Sequence, residues 1–199
     1  MRRKFAGILC GLLFAASAQA ETFRNPVIGL SIEKPNDWHV LSADANAKNL
    51  EKAELGRPEF QAAIRRYASV PLIAFTRYLE PYPDLNASVK LNTRPVGSFV
   101  GKSGQEILQL MLPALQAMMS DIKIITAPEP TQLAGKAAGH MTLAYTLKSG
   151  SALYPAISEM WVVPRGSYFI VIGAGYRPDK KTGDDKAVSK IIRSIKLDN

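Results

Sequence analysis

An α+β domain in which an antiparallel β-sheet is sandwiched between helices, an α/β/α arrangement, is the fold this sequence predicts, on three observations. Strand-like segments follow one another without an intervening helix in the last third, where Ile157–Val163 and Tyr168–Ala174 flank the turn Pro164-Arg165-Gly166-Ser167. The two clearest helical patterns, Gly101–Met119 and Asp184–Ile195, stand apart from those strands. The regular strand-helix alternation of a wound parallel sheet is missing, and so is any internal repeat.

The chain opens on a segment that belongs to no domain. Arg2, Arg3 and Lys4 precede an apolar run from Phe5 to Ala16, and Ala18-Gln19-Ala20 stands before Glu21. A basic start, a short apolar stretch and a small-residue cleavage site make a secretory signal peptide. The run is too short to span a bilayer. Residues 1–20 are therefore expected to be removed after Ala20, leaving 21–199 as a single periplasmic or secreted domain with no transmembrane segment. The one cysteine, Cys10, lies in the leader. Leu9 before it and the continuing apolar run after it do not fit a lipid-attachment site, so the mature chain is expected to carry no thiol and no disulfide.

The elements are expected in the following order. Val27–Ile32 reads as a strand by its apolar content, and Pro35-Asn36-Asp37 as a turn that leads into a short return strand, Trp38–Leu41. Ala43–Ala68 carries two helical stretches split near Gly56-Arg57-Pro58; in the second, Phe60, Ile64 and Tyr67 share a face. Val70–Leu79 is a strand, Pro81, Pro83 and Asn86 break the chain, and Ala87–Asn92 resumes an extended segment. Ser103 followed by Glu106 is a capping box for the Gly101–Met119 helix, whose apolar face runs through Ile107, Leu108, Met111, Leu112 and Leu115, with a kink or early break at Pro113. Glu129 falls between Pro128 and Pro130 in an expected turn, and Leu133–Gly135 and Gly139–Leu147 precede the hairpin as strands. The closing helix places Val188, Ile191, Ile192 and Ile195 on its inner stripe.

Composition bounds the function. At 47% hydrophobic and 21% charged residues the chain is ordinary for a globular protein. Removing the leader's three basic residues from the formal net charge of +8 leaves +5, modest for an exported chain and not the clustered excess of a nucleic-acid binder.

Specific chemistries fare poorly. Gly97 to Ser103 resembles a phosphate loop but has three residues between its glycines instead of four, and the capping box already explains Ser103. No G-x-S-x-G elbow occurs. His39 and His140 are the only histidines, and a triad needs three convergent groups. Met111, Met118, Met119, Met160 and His140-Met141 could be assembled into a soft-metal set, but adjacent strand residues point to opposite faces and helical Met is a gap filler. Asp184-Asp185 suits the positive end of a helix. No catalytic, cofactor or metal site is assigned and none of these groups is expected to be needed. One surface feature stands out: Lys186, Lys190 and Arg193 recur at i, i+4 and i+7 opposite the apolar stripe, with Lys180, Lys181 and Lys196 near in sequence. They form the candidate partner surface, suited to an acidic envelope protein or an anionic surface.

Two motifs carry a resemblance. Gly29-Leu30-Ser31-Ile32, Pro35 and Asp37-Trp38 resemble the G-F-S-I-x-x-P-x-x-W opening of the PsbP-like superfamily, the fold of the extrinsic photosystem II subunit. Tyr168-Phe169-Ile170-Val171-Ile172 and the helix ending Ile191-Ile192-Arg193-Ser194-Ile195 resemble its closing hairpin and helix. The middle, Ser42 to Lys136, is unmatched. The superfamily includes small bacterial envelope proteins and a nuclear import factor, so the resemblance implies an antiparallel sheet between helices and a noncatalytic binding or accessory role, by fold analogy alone. The alternative is a periplasmic hydrolase or transferase that uses His39 or His140 in an unrecognised pocket.

Overall fold

A computed structural model describes residues 20–52, 71–119, 121–180, 182 and 184–198. Residues 1–19 of the leader and the second helical stretch expected before Ala68 lie outside the described residues. Those described form ten strands: β1 (Glu21–Asn25), β2 (Leu30–Lys34), β3 (His39–Val40), β4 (Ile73–Thr76), β5 (Ser88–Pro95), β6 (Lys123–Leu133), β7 (Lys136–Ser149), β8 (Ala152–Arg165), β9 (Tyr168–Tyr176) and β10 (Lys196–Leu197). Three α-helices accompany them: α1 (Ala43–Lys52), α2 (Gly104–Met118) and α3 (Asp184–Arg193).

Seven strands make one antiparallel sheet in the order β3-β4-β5-β9-β8-β7-β6, and β1-β2-β10 make a second, smaller sheet. The hairpin of β8 and β9 matches the sequence pattern, with Arg165 opposite Tyr168 across a two-residue turn. Gly166 adopts φ 68° there, a conformation costly for any residue with a Cβ.

Period-two alternation divides the large sheet into two faces. On one, Met141, Leu143, Val162 and Phe169 pack with Ile107 and Leu108 of α2. On the other, Val89, Leu91, Val163, Ile170, Ile172 and Ala174 join Val188, Ile191, Ile192 and Ile195 in the larger core. Lys90 alternates against Val89 and Leu91 and so points to the α2 side, where its Nζ donates to Asn46 Oδ1 of α1 at 2.7 Å. Burial pushes its amine below the usual lysine range. Helices thus cover both faces, as the fold class requires. An unexpected third layer is the small sheet, whose β2 contacts α3 and adds Leu30 and Ile32 to the larger core. Trp38 lies in that core at 1% exposure, a packing residue.

α2 begins as the sequence dictates. Ser103 Oγ accepts from the Glu106 amide at 3.2 Å, and the Ser103 amide donates to Glu106 Oε2 at 2.8 Å. Gly104 then touches Gly139 of β7 backbone to backbone, which lets the helix start lie directly on the sheet. The break expected at Pro113 does not occur and the helix runs to Met118. Pro113 and Gln109, whose carbonyl loses its amide partner, are both exposed, so water satisfies the freed acceptor.

Several expected segments are corrected. Residues 26–29 are a turn, not strand: the Val27 amide donates to Asn25 Oδ1 at 3.1 Å, Gly29 has φ 62° and Val27 is 90% exposed. The first strand is instead β1, which pairs with β2. β3 does not return along β2 but pairs with β4 in the other sheet. The strand expected over Val70–Leu79 shortens to Ile73–Thr76, and the extended segment from Ala87 runs on to Pro95. Ala134 and Gly135 form the β6–β7 turn. Glu129 lies inside β6, an edge strand that absorbs Pro128 and Pro130 through two register shifts.

Candidate functional site

α3 is held at both ends. At its start the Asp184 carboxylate is buried, accepts from Thr182 Oγ1 at 2.5 Å and lies 3.8 Å from Arg77 Nε. Arg77 also pairs with Asp37 of the Pro35-Asn36-Asp37 turn. At the other end Ser194 Oγ accepts from the Glu33 amide of β2 at 3.0 Å and donates to the Ile191 carbonyl at 2.6 Å. With Val188, Ile191 and Ile192 committed to the core, the helix cannot roll, and the opposite face is fixed toward solvent.

Lys186, Lys190 and Arg193 stand exposed on that face, and none of them forms an ion pair among the described residues. Lys180, counted with them in sequence, is bound to Asp84 at 2.9 Å, and Lys181 lies outside the described residues. Lys196 is exposed on β10, just beyond the helix. The basic region therefore narrows to one row of three cations with a fourth at its end. The exposed acid of α3 is Asp185, at the amino end where the helix dipole favours it.

Asp84 belongs to a separate anchor. Burial raises its carboxyl, but Lys180, Arg177 and the Leu85 amide outweigh that and hold it down at about 2. Arg177 and the ring of Tyr154, 5.6 Å from its guanidinium carbon, close this anchor over the loop that follows β4.

The second cluster surrounds His140 on the α3 side of the sheet. Register places Glu129 of β6 and Trp161 of β8 directly beside His140 of β7. His140 Nδ1 lies 3.5 Å from Glu129 Oε1, and Nε2 lies 3.7 Å from Glu159 Oε2. The imidazole stacks on the Trp161 ring with centroids 4.8 Å apart. Tyr176 of β9 donates its hydroxyl to Glu159 Oε1 at 3.1 Å. Its own proton is held up to about 12, through burial first and then the neighbouring Glu159 charge. The Glu159 carboxylate, 3.7 Å from Nε2, raises His140 above the usual histidine value; partial burial opposes this and Glu129 reinforces it.

This arrangement suits an imidazolium clasped between carboxylates. The two ring nitrogens diverge toward different acids, so the three groups do not converge on a point where a metal could sit. Both nitrogens thus face protein carboxylates. Thr142 Oγ1, 3.5 Å from Nε2, is the nearest hydroxyl. His39 is on β3, five strands away from β7 and about 24 Å distant at ordinary strand spacing, so the two histidines cannot act together.

Other sequence candidates separate as well. Met141 is buried on the opposite face from His140, among the α2 contacts. Gly97–Phe99 forms a short 3-10 turn, and the Ser103 hydroxyl is taken by the helix cap. Among the described residues no group of three His, Cys, Asp or Glu side chains could hold a metal ion, and no helix is long and apolar enough to cross a membrane. Sequence reasoning placed Glu129 in a turn and missed Glu159, Trp161 and Tyr176. The alternation of Ile157–Val163 already puts Glu159 and Trp161 on one face; the prolines around Glu129 hid its strand.

No protein-family model and no curated protein matches the sequence. Solved structures do. LpqN of Mycobacterium tuberculosis, described as involved in cell envelope biogenesis, is similar over 92% of this chain and 88% of its own, with 11% identity and a TM-score of 0.52. Cyanobacterial PsbP from Synechocystis is similar over 96% of this chain and 98% of its own, with 16% identity and a TM-score of 0.47. The Ran-binding protein Mog1p of Saccharomyces cerevisiae covers 90% of this chain and 95% of its own, with 10% identity and a TM-score of 0.49. At such identities the likeness is one of fold: this chain shares with LpqN an α+β architecture, an antiparallel sheet between helices.

Proposed function

We propose that this chain is an exported, noncatalytic binding protein of the bacterial cell envelope, which docks on an anionic envelope surface through the outer face of α3. The observation that carries the reading is the row Lys186, Lys190 and Arg193: exposed, without an acidic partner among the described residues, and on a helix whose other side is locked into the core. Unneutralised cations on a rigid face are an electrostatic docking surface. The basic leader and small-residue cleavage site support export, and the part played by LpqN in cell envelope biogenesis agrees with an envelope role.

The magnitude defines the kind of binding. A cation near an anionic lipid surface contributes about 1 kcal/mol. Three of them give about 3 kcal/mol, a weak and reversible attachment that salt weakens over a Debye length of about 8 Å. Catalysis is the less favoured alternative because both nitrogens of His140 face carboxylates. The test is sedimentation of the mature chain with phosphatidylglycerol vesicles across a salt series. Binding that falls steadily with salt, and is weak on phosphatidylcholine vesicles, is expected. Binding indifferent to both salt and lipid charge contradicts the proposal.

A further inference from the structure

We infer that His140 is a proton-operated clasp on the edge strand β6: as the imidazolium it ties Glu129 to Glu159 across β7, and on losing its proton it releases the bulged segment that ends at Glu129.

The geometry calls for a cation. The Nδ1 and Nε2 nitrogens lie on different sides of the ring, and each faces a carboxylate oxygen, at 3.5 and 3.7 Å. A neutral imidazole donates from one nitrogen and turns a lone pair on the other. One of the two carboxylates would then confront an acceptor, and the two acids would lose the positive charge between them. The charged and titratable groups facing the ring are Glu129 from β6 and Glu159 from β8. Tyr176 from β9 caps Glu159 and feels the charge of Asp185 at the start of α3, while Thr142 lies beside Nε2 on β7 itself. Among the described residues no second cation pairs with either acid next to the ring. The π face of Trp161, stacked against the ring, favours the same protonation state.

β6 is the element that depends on this clasp. Its pairing with β7 is irregular between Ile124 and Thr126 and again between Thr126 and Glu129, and Glu129 opens the regular stretch that follows. Pro128 and Pro130 on either side of it have no amide to give to a ladder. The side chains and the bond from Gln105 Nε2 of α2 to the Pro128 carbonyl, at 3.1 Å, hold this part of the strand. Losing the charged tie therefore loosens the bulge while the regular pairs from Glu129 to Leu133 persist.

The sign follows from linkage. The folded chain holds the His140 proton more tightly than the unfolded chain. The stabilisation is complete below the unfolded value of about 6.5 and is lost as pH rises through the higher folded value. Release accordingly belongs to neutral and alkaline conditions, and the clasp is closed in acid.

The experiment is amide hydrogen exchange with NMR titration of the histidine ring, on the mature chain from Glu21, in a His39→Gln background that leaves one imidazole signal. The expected midpoint for His140 lies above 6.5. Protection of the Ile124 and Thr126 amides, corrected for intrinsic exchange, should fall across the same midpoint, by about tenfold for each pH unit by which that midpoint exceeds 6.5, while the amides from Glu129 to Leu133 keep theirs. β8 and β9 should hold their protection. Glu129→Gln, at a side chain 55% exposed, leaves the fold standing and should flatten the pH dependence in β6. A midpoint below 6.5, or a pH dependence in β6 that survives Glu129→Gln, overturns the clasp.

Discussion

Replacing Gly139 by alanine puts a methyl group where α2 and β7 already touch. A Cβ at Gly139 would fall well inside 3.0 Å of the Gly104 carbonyl group and the Gln105 amide nitrogen, and the reciprocal Cβ at Gly104 would meet the Gly139 nitrogen, the Val162 oxygen and, at 2.9 Å, the Ala138 carbonyl carbon. All of these are backbone atoms, so no side chain can swing aside. Ordinary van der Waals contact begins near 3.4 Å, and the start of the helix must move from the sheet by about 1 Å, a gap that forfeits a quarter to a half of the dispersion energy of each contact it opens. The contacts at risk join Ile107 and Leu108 to Met141, Leu143, Val162 and Phe169. Overpacking of a tight core costs about 1–3 kcal/mol and more where backbone must shift, and we expect Gly139→Ala at about 3 kcal/mol in urea unfolding. Gly104→Ala should cost about the same. The double variant should cost clearly less than the two together, because the helix displaced by one methyl makes room for the other. Either single variant within about 0.5 kcal/mol of the parent, or strict additivity of the pair, refutes the argument.

Ser103→Ala removes the hydroxyl that accepts from the Glu106 amide and should lower stability by about 0.5–2 kcal/mol, measured by the same unfolding curves. Asp84, held at about 2 when folded against an ordinary unfolded value near 3.9, contributes stability above the unfolded value that is lost as pH falls toward 2. Acid unfolding of Asp84→Asn should therefore show a shallower loss than the parent between about pH 4 and 2, and identical acid profiles would contradict the anchor. The exported chain should start at Glu21, and intact mass of protein from the envelope should equal residues 21–199; a lipid-bearing mass that retains Cys10 would contradict it.

Legibility in the sequence followed the range of the interactions. The capping box of Ser103 and Glu106 and the hairpin around Gly166 are local, and both were readable because their partners lie within a few residues. The stripe of Val188, Ile191 and Ile192 was readable from helical period, which also located Lys186, Lys190 and Arg193 on the outer face. What locks that helix was not readable: Arg77 and Asp184 are far apart in the chain, as are Glu33 and Ser194. β1 was missed because polar Glu21, Thr22 and Arg24 hide a strand that pairs only within the small sheet. β3 was assigned to the wrong neighbour because a turn at Pro35-Asn36-Asp37 looks like a hairpin whether or not the chain crosses to another sheet. Pro128 and Pro130 read as loop residues, since sequence alone does not distinguish a turn from a bulged edge strand. That error concealed the Glu129–His140 pair, which exists through register alone.

The measurement that bears most directly on the docking proposal compares two variants of equal net charge. In one, Lys186, Lys190 and Arg193 are changed to Gln; in the other, the cations removed are Arg24, Lys123 and Lys148, which lie exposed on β1, β6 and β7. Substitutions at exposed sites change stability by no more than about 0.5 kcal/mol, so both variants should fold. Titrated with phosphatidylglycerol vesicles at low salt, the α3 variant should lose about 3 kcal/mol of binding, roughly a hundredfold in affinity, while the control variant keeps most of it. Equal losses would mean that the chain responds to its net charge and not to this face. Undiminished binding by the α3 variant would contradict the assignment of Lys186, Lys190 and Arg193 as the docking surface.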